Sequence, residues 1–406
     1  MAVACTQAHA GAPRNMQERA RSPSAEVCRW RYSRSGLPMC GRSAKCGSER
    51  ARNRQGSARC ALAAGLEVEM ISMIRRALLA TATMVAPVAI AATPSGRTIP
   101  TVYEAGHFYA VPQTVGGEKL RLLVDTAGGG GAGMYWITAA AAKRLGLKTR
   151  NCTLGEALFP VADVPDYAPG RGLPPPLANR SPCGEALMIQ ARDYSGGDGQ
   201  LGAGYFPGRI WTFDYPHRRL AVEDSSWQPK AGAHAVKLGF PRDEQGEATS
   251  GFARITIRVA GKTIDMLLDT GATAHPTKAG EKASGLPTVH GEGVASYITH
   301  GVFEHWHAKH PEWRVVIDGD DLFGAQHAAR IIEVPRVEIA GWSVGPVWFT
   351  ERADANLDQF MQWMDKKPDG AVGANVFRHF VMTIDYPDAT AYFRCVDACE
   401  ASGLAR

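Results

Sequence analysis

The chain repeats itself, and the repeat limits what it can fold into more than any other feature. The segment from Phe108 to Asp125-Thr126 has a counterpart from Phe252 to Asp269-Thr270, and each Phe stands 17 residues before its Asp. Both segments read as a strand, a turn at Gly117 or Gly261, and a second, apolar strand that delivers an Asp-Thr at its end. A helical stretch is expected after each, Thr138 to Leu147 and Thr277 to Leu286, with Gly146 and Gly285 at the C-caps. A third block pairs Gly199-Gln200-Leu201-Gly202 and the following Trp211-Thr-Phe-Asp214-Tyr-Pro with Gly370-Ala371-Val372-Gly373 and Met382-Thr-Ile-Asp385-Tyr-Pro. The third blocks lie 171 residues apart, the Asp-Thr blocks 144 and the helices 139. Three ordered matches predict a duplicated unit. Short strands broken by Gly and Pro leave little room for parallel βαβ crossovers, so the unit is expected to be mainly β.

The spacing divides the chain. A first lobe is expected over 100–226, a polar linker over 227–250, and a second lobe over 251–394 with an inserted loop at 287–330; 395–406 is a tail. Ahead of the duplication, Met70 to Arg76 gives a start residue and a positive region. Ala77 to Ala91 is a 15-residue apolar run ending in Ala89-Ile90-Ala91. That is the layout of a secretory signal peptide over 70–91, cleaved near Ala91, and it is short of the roughly 20 residues of a membrane span. A signal peptide acts from the N-terminus, so 1–69 is read as an upstream extension outside the native protein, without the periodicity to bury a core.

Export implies a periplasmic or secreted protein with oxidised cysteines. Five of the 9 cysteines lie within 1–69; the remaining four, Cys152, Cys183, Cys395 and Cys399, are expected to pair as sequence neighbours. Charge divides in the same way. Residues 1–69 carry a net +7 and the rest a net −2, so the body has no positive excess for phosphates and no nucleic-acid partner is expected. No membrane association is expected after signal cleavage.

Two copies of an apolar-Asp-Thr element can meet at a pseudo-twofold axis. Asp125 and Asp269 would then be too close for both to ionise and would share one proton. The ionised member can take a proton from water while the protonated member hydrogen-bonds a scissile carbonyl. Thr126 and Thr270 each bring a hydroxyl able to lock the two loops across the axis, and Gly271 permits close backbone approach.

On these residues the chain resembles the retropepsin-like aspartic proteases of the bacterial, exported type. The resemblance is carried by Leu267-Leu268-Asp269-Thr270-Gly271-Ala272, by Val124-Asp125-Thr126, and by the apolar-Gly motifs ending at Gly202 and Gly373. It implies two closed, barrel-like β lobes fused in one chain, catalytic Asp125 and Asp269, and a groove for a peptide or protein substrate. Thr126, Thr270, Gly271, Ala272, Gly202 and Gly373 would support the site. A monomer is expected, with no cofactor and no metal. The first lobe departs from the pattern: Ala127 stands where Gly is expected, followed by the run Gly128 to Gly133. The alternative is therefore a peptide-binding protein of the same fold that does not cut.

Three further features are weighed. The histidines His300, His305, His307 and His310 lie in the expected insertion and read as an exposed polar loop, with His305 and His307 on one face if that stretch were a strand. The Pro-rich segment 160–182 is either a flap or a surface excursion. His275, six residues after Asp269, is expected to be solvated.

Overall fold

The computed structural model describes residues 96–129, 133–191, 194 and 196–402. The segment expected to be a signal peptide, 70–91, the stretch 1–69 expected to be an upstream extension, and part of the glycine run lie outside the described residues. The fold is mainly β, in two lobes joined by a shared sheet.

The duplication is visible in strand order. In the first lobe His107–Ala110, Leu122–Val124, Gly199–Leu201, Trp136–Thr138, Ala186–Gln190, Ala157–Asp163 and Thr149–Leu154 follow one another across one sheet. In the second, Arg254–Val259, Lys262–Leu268, Gly370–Val372, Tyr297–Thr299, Val347–Arg352, Ala329–Val334 and Val315–Asp320 do the same. Directions match as well. Each Asp-bearing strand runs parallel to its glycine-motif strand, Leu123 opposite Gln200 and Leu267 opposite Ala371. Alternation drives this pairing: Arg254–Val259 buries every second residue, which places Ile255, Ile257 and Val259 in the core. Neither sheet pairs its first strand with its last among the described residues, so the lobes are open ladders and not the closed barrels expected.

Both expected helices form, as Ala139–Arg144 and Lys278–Ser284, with Gly146 and Gly285 in the left-handed region. They are not equivalent. The topological partner of Trp136-Ile-Thr138 and its helix is Tyr297-Ile-Thr299 and the helix His300–Lys309. Thr138 and Thr299 each cap their helix by accepting from the backbone N–H three residues on. Extra length in the second lobe therefore falls largely between Gly271 and Tyr297, around the helix Lys278–Ser284 and the short pair Thr273–Ala274 with Gly293–Val294.

The Asp-Tyr-Pro strands leave their lobes and pair with each other. Ile210–Asp214 and Phe380–Asp385 run antiparallel, with Thr212 opposite Thr383 and their hydroxyls 2.9 Å apart. These two threonines are 171 residues apart, so the pseudo-twofold axis passes through their contact. The stretch expected to be a polar linker supplies a strand, Ala233–Lys237, at one edge of this six-stranded sheet, and Gly96–Ile99 forms the other.

The histidine stretch is not a loop. His300, His305 and His307 lie on the helix His300–Lys309, so the strand geometry expected for His305 and His307 does not apply. His300, Glu304 and Glu351 bring ligand atoms within 4.8 Å of one another. The guanidinium of Arg330 already bridges both carboxylates, at 2.7 Å to Glu351 and 2.5 Å to Glu304, and supplies the positive charge there. The Pro-rich segment is tied to its own lobe: Tyr167 bonds Tyr135 at 2.8 Å, and Tyr205 donates to the Pro174 carbonyl at 2.5 Å. Cys152–Cys183 and Cys395–Cys399 are paired as expected, with Cα separations of 5.9 and 6.1 Å.

Candidate active site

The two Asp-Thr loops meet between the lobes. Each Thr hydroxyl donates across the axis to the carbonyl before the other Asp: Thr126 to Leu268 and Thr270 to Val124, both at 2.8 Å. Each hydroxyl also accepts from the other threonine's backbone N–H at 3.1 Å. Four buried hydrogen bonds thus cross the axis in two equivalent pairs. The aspartates themselves begin their loops in the same way, with the N–H of Asp125 on the Leu201 carbonyl and that of Asp269 on the Val372 carbonyl, both at 3.0 Å.

This frame brings the carboxyl groups of Asp125 and Asp269 into hydrogen-bonding contact. Each Oδ1 accepts from the N–H two residues on, Ala127 at 2.9 Å and Gly271 at 3.0 Å. Ala127 thus supplies the same donor as the glycine it replaces. Its methyl packs toward the apolar cluster of Leu267, Met364 and Ala371. Gly271 has no such freedom, because a Cβ there would stand 2.2 Å from Cγ of Asp125. Gly202 and Gly373 are equally confined: a Cβ would fall 2.0 Å from the Gly129 carbonyl oxygen and 1.8 Å from that of Ala295. Ala272 is buried beside Gly373.

Burial raises the pKa of both carboxyls above the ordinary aspartate value. Asp269 is raised further, because next after burial the charge of Asp125 disfavours its ionisation. Backbone N–H groups of Ala127 and Gly128, and of Gly271 and Ala272, pull in the other direction. The pair is thus arranged to hold one proton.

Sequence reasoning missed the groups that hold these loops. Trp136 donates from Nε1 to the Gly129 carbonyl at 3.0 Å; at the matching place in the second lobe the Tyr297 hydroxyl accepts from the Thr273 N–H at 2.6 Å. Gln200 donates from Nε2 to Asp125 Oδ2 at 2.5 Å. His107 is buried, with Nε2 at 3.3 Å from the Ala272 carbonyl and 3.1 Å from the Thr273 hydroxyl. Burial holds its pKa down to about 4. The matched aromatic-Ile-Thr triplets at 136–138 and 297–299 were the available signal for the aromatics. An amide inside an otherwise apolar motif was the signal for Gln200. His275 is half-buried and pairs with Asp321, so it is not simply solvated.

No protein-family model matches this sequence, and no curated protein matches it. Among solved structures the chain is similar to an aspartic proteinase from Irpex lacteus, at 11% identity and a TM-score of 0.41, covering 76% of this chain and 100% of that one. It is also similar to conglutin gamma, a basic 7S globulin from lupine seeds, at 10% identity and a TM-score of 0.38, covering 74% and 95%. Basic 7S globulin from soybean aligns at 9% identity and a TM-score of 0.38, covering 75% and 98%. What the site can do follows from its own atoms.

Proposed function

We propose that the chain is an aspartic-type peptidase. The observation that carries this reading is the contact between Asp125 and Asp269, one from each lobe, inside a frame of four crossed threonine hydrogen bonds. A water held between the carboxyls gives a proton to the ionised member as its oxygen attacks the peptide carbonyl carbon. The protonated member hydrogen-bonds the carbonyl oxygen and stabilises the charge that develops there. Collapse of the tetrahedral adduct returns a proton to the leaving amine, with no covalent enzyme intermediate. Kinship with the retropepsin-like enzymes rests on the Leu267–Ala272 motif and its counterpart at Val124–Thr126.

One chain supplies both aspartates, so the pair is complete in a monomer. The two disulfides suit an exported, periplasmic or secreted protein. The test is to incubate the mature chain with denatured casein across acid pH, with and without pepstatin. Pepstatin-sensitive cleavage is expected. Binding of casein peptides without cleavage would replace this reading with that of a peptide-binding protein.

A further inference from the structure

The two aspartates share a frame but not a neighbourhood. Gln200 lies in the strand Gly199–Leu201, buried, opposite Leu123 on one side and Trp136 on the other. Its counterpart in the second lobe is Ala371, opposite Leu267 and Tyr297. Gln200 Oε1 shares the Trp136 Nε1–H, at 3.2 Å, with the Gly129 carbonyl at 3.0 Å. An indole N–H can only donate, so the atom facing Trp136 must be the amide oxygen. The amide nitrogen then faces Asp125, at 2.5 Å from Oδ2, and can only donate. Oδ2 of Asp125 must therefore present a lone pair. Its Oδ1 already accepts from the Ala127 N–H. Backbone N–H groups serve both aspartates alike, Ala127 and Gly128 at Asp125 and Gly271 and Ala272 at Asp269; the difference is the Gln200 amide on Oδ2 of Asp125, where the second lobe has Ala371.

Space has been made for this amide. A Cβ at Gly128 would lie 2.5 Å from the Gln200 side chain; in the second lobe the position matching Gly128 is Ala272 and the position matching Gln200 is Ala371. The longer side chain at 200 thus goes with a glycine at 128, and the short one at 371 with an alanine at 272.

We propose that Gln200 is a positioning residue that makes the pair unequal: its amide pins Asp125 as the accepting, ionised carboxylate and leaves Asp269 to carry the shared proton. The inference deepens the peptidase reading and rests on it for its catalytic meaning. Asp125 becomes the group that takes the water's proton, and Asp269 the one that bonds the substrate carbonyl. Besides each other, the ionisable groups acting nearby are the buried phenols of Tyr215 and Tyr297, both in the field of Asp269, and His107 behind Ala272.

The experiment follows the carboxyl carbons of Asp125 and Asp269 by NMR across pH, in the wild-type chain, in Gln200→Met and in the double variant Gly128→Ala, Gln200→Ala. The first variant keeps the volume and removes the donor; the second gives the first lobe the second lobe's filling. In wild type, Asp125 is expected to ionise first. In both variants that first ionisation should move up by about one to two pH units, the size expected for losing a hydrogen bond to a charged group. The acid limb of the pH profile of kcat/KM on a peptide should move with it. An unchanged titration in the variants, or Asp269 ionising first in wild type, would overturn the proposal. The wild-type order decides even where a variant does not fold. A wild-type chain that cuts no peptide would remove the peptidase reading, and the carboxyl titration would still decide the role of Gln200.

Discussion

Around Asp269 the close neighbours are Gly271, Ala272, Ala371 and Tyr297; around Asp125 the same places hold Ala127, Gly128, Gln200 and Trp136. The backbone frame hardly registers the difference. Asp Oδ1 to N–H is 2.9 Å in one lobe and 3.0 Å in the other, and the crossed threonine bonds match pair for pair. Duplication has kept what both halves need in order to meet and has let the side chains behind each aspartate diverge. The changes are compensated within a lobe: Gly128 lacks a Cβ where the Gln200 side chain lies, because a close-packed interior does not tolerate one change alone.

The largest effect should come from the aspartates. If they act as one unit, Asp125→Asn and Asp269→Asn should each lower kcat on a peptide by on the order of 10³-fold or more, with the double variant little worse than either single. Should Asp269→Asn abolish cleavage while Asp125→Asn leaves it intact, the equivalence of the lobes would be broken, and the second lobe would be working with its copy in another chain.

The loop position after each threonine sharpens the comparison. Gly271→Ala drives a methyl into the Asp125 carboxyl, because a Cβ at that position would stand 2.2 Å from Cγ. A displacement of about 1 Å at a reacting group can cost around 100-fold, so kcat/KM should fall by about that factor. Ala127→Gly removes only a methyl from the edge of an apolar cluster and should leave kcat/KM within a few-fold of wild type. Equal losses in the two variants would mean that the carboxyls sit symmetrically after all.

The threonines should respond alike. Thr126→Ala orphans the Leu268 carbonyl and the Thr270 N–H; Thr270→Ala orphans the Val124 carbonyl and the Thr126 N–H. Each should destabilise the fold by about 2 kcal/mol in urea unfolding, and by the same amount within error. A clear difference would show that one lobe carries the frame.

Much of this arrangement was legible in the sequence, and the reason is physical. Asp125-Thr126, Asp269-Thr270, Gly202 and Gly373 sit where backbone meets backbone, so few residue types fit and the copies stay recognisable. Gln200, Trp136, Tyr297 and His107 act through side chains that reach across strands, and several solutions serve there. The helix Thr277–Leu286 was matched to the wrong partner because a short capped helix has little sequence individuality. The triplets Trp136-Ile-Thr and Tyr297-Ile-Thr held the correct register. The strand Ala233–Lys237 looked like linker because an edge strand half exposed to solvent needs few apolar residues.

The smallest effect concerns His107, which also has no twin: by strand register the matching position is Phe252, which carries no titrating group. The imidazole is buried against the second lobe's loop and titrates near 4 instead of 6.5. Between those values the unfolded chain binds a proton that the folded chain refuses, so this group's contribution to stability is lost as pH falls from 6.5 toward 4. The aspartate pair acts with the opposite sign. Its raised values mean that the folded chain holds a proton the unfolded chain has released, so its contribution is lost as pH rises from about 4 through the folded values. The two trends overlap and partly cancel in the wild-type curve. His107→Gln keeps an N–H donor and does not titrate. The difference in unfolding free energy between wild type and His107→Gln should therefore change by on the order of 1 kcal/mol between pH 7.5 and 5.5, with wild type losing ground as acid is added. A difference that stays flat over that range would mean that the imidazole is hydrated in the folded chain and has no hold on the second lobe's loop.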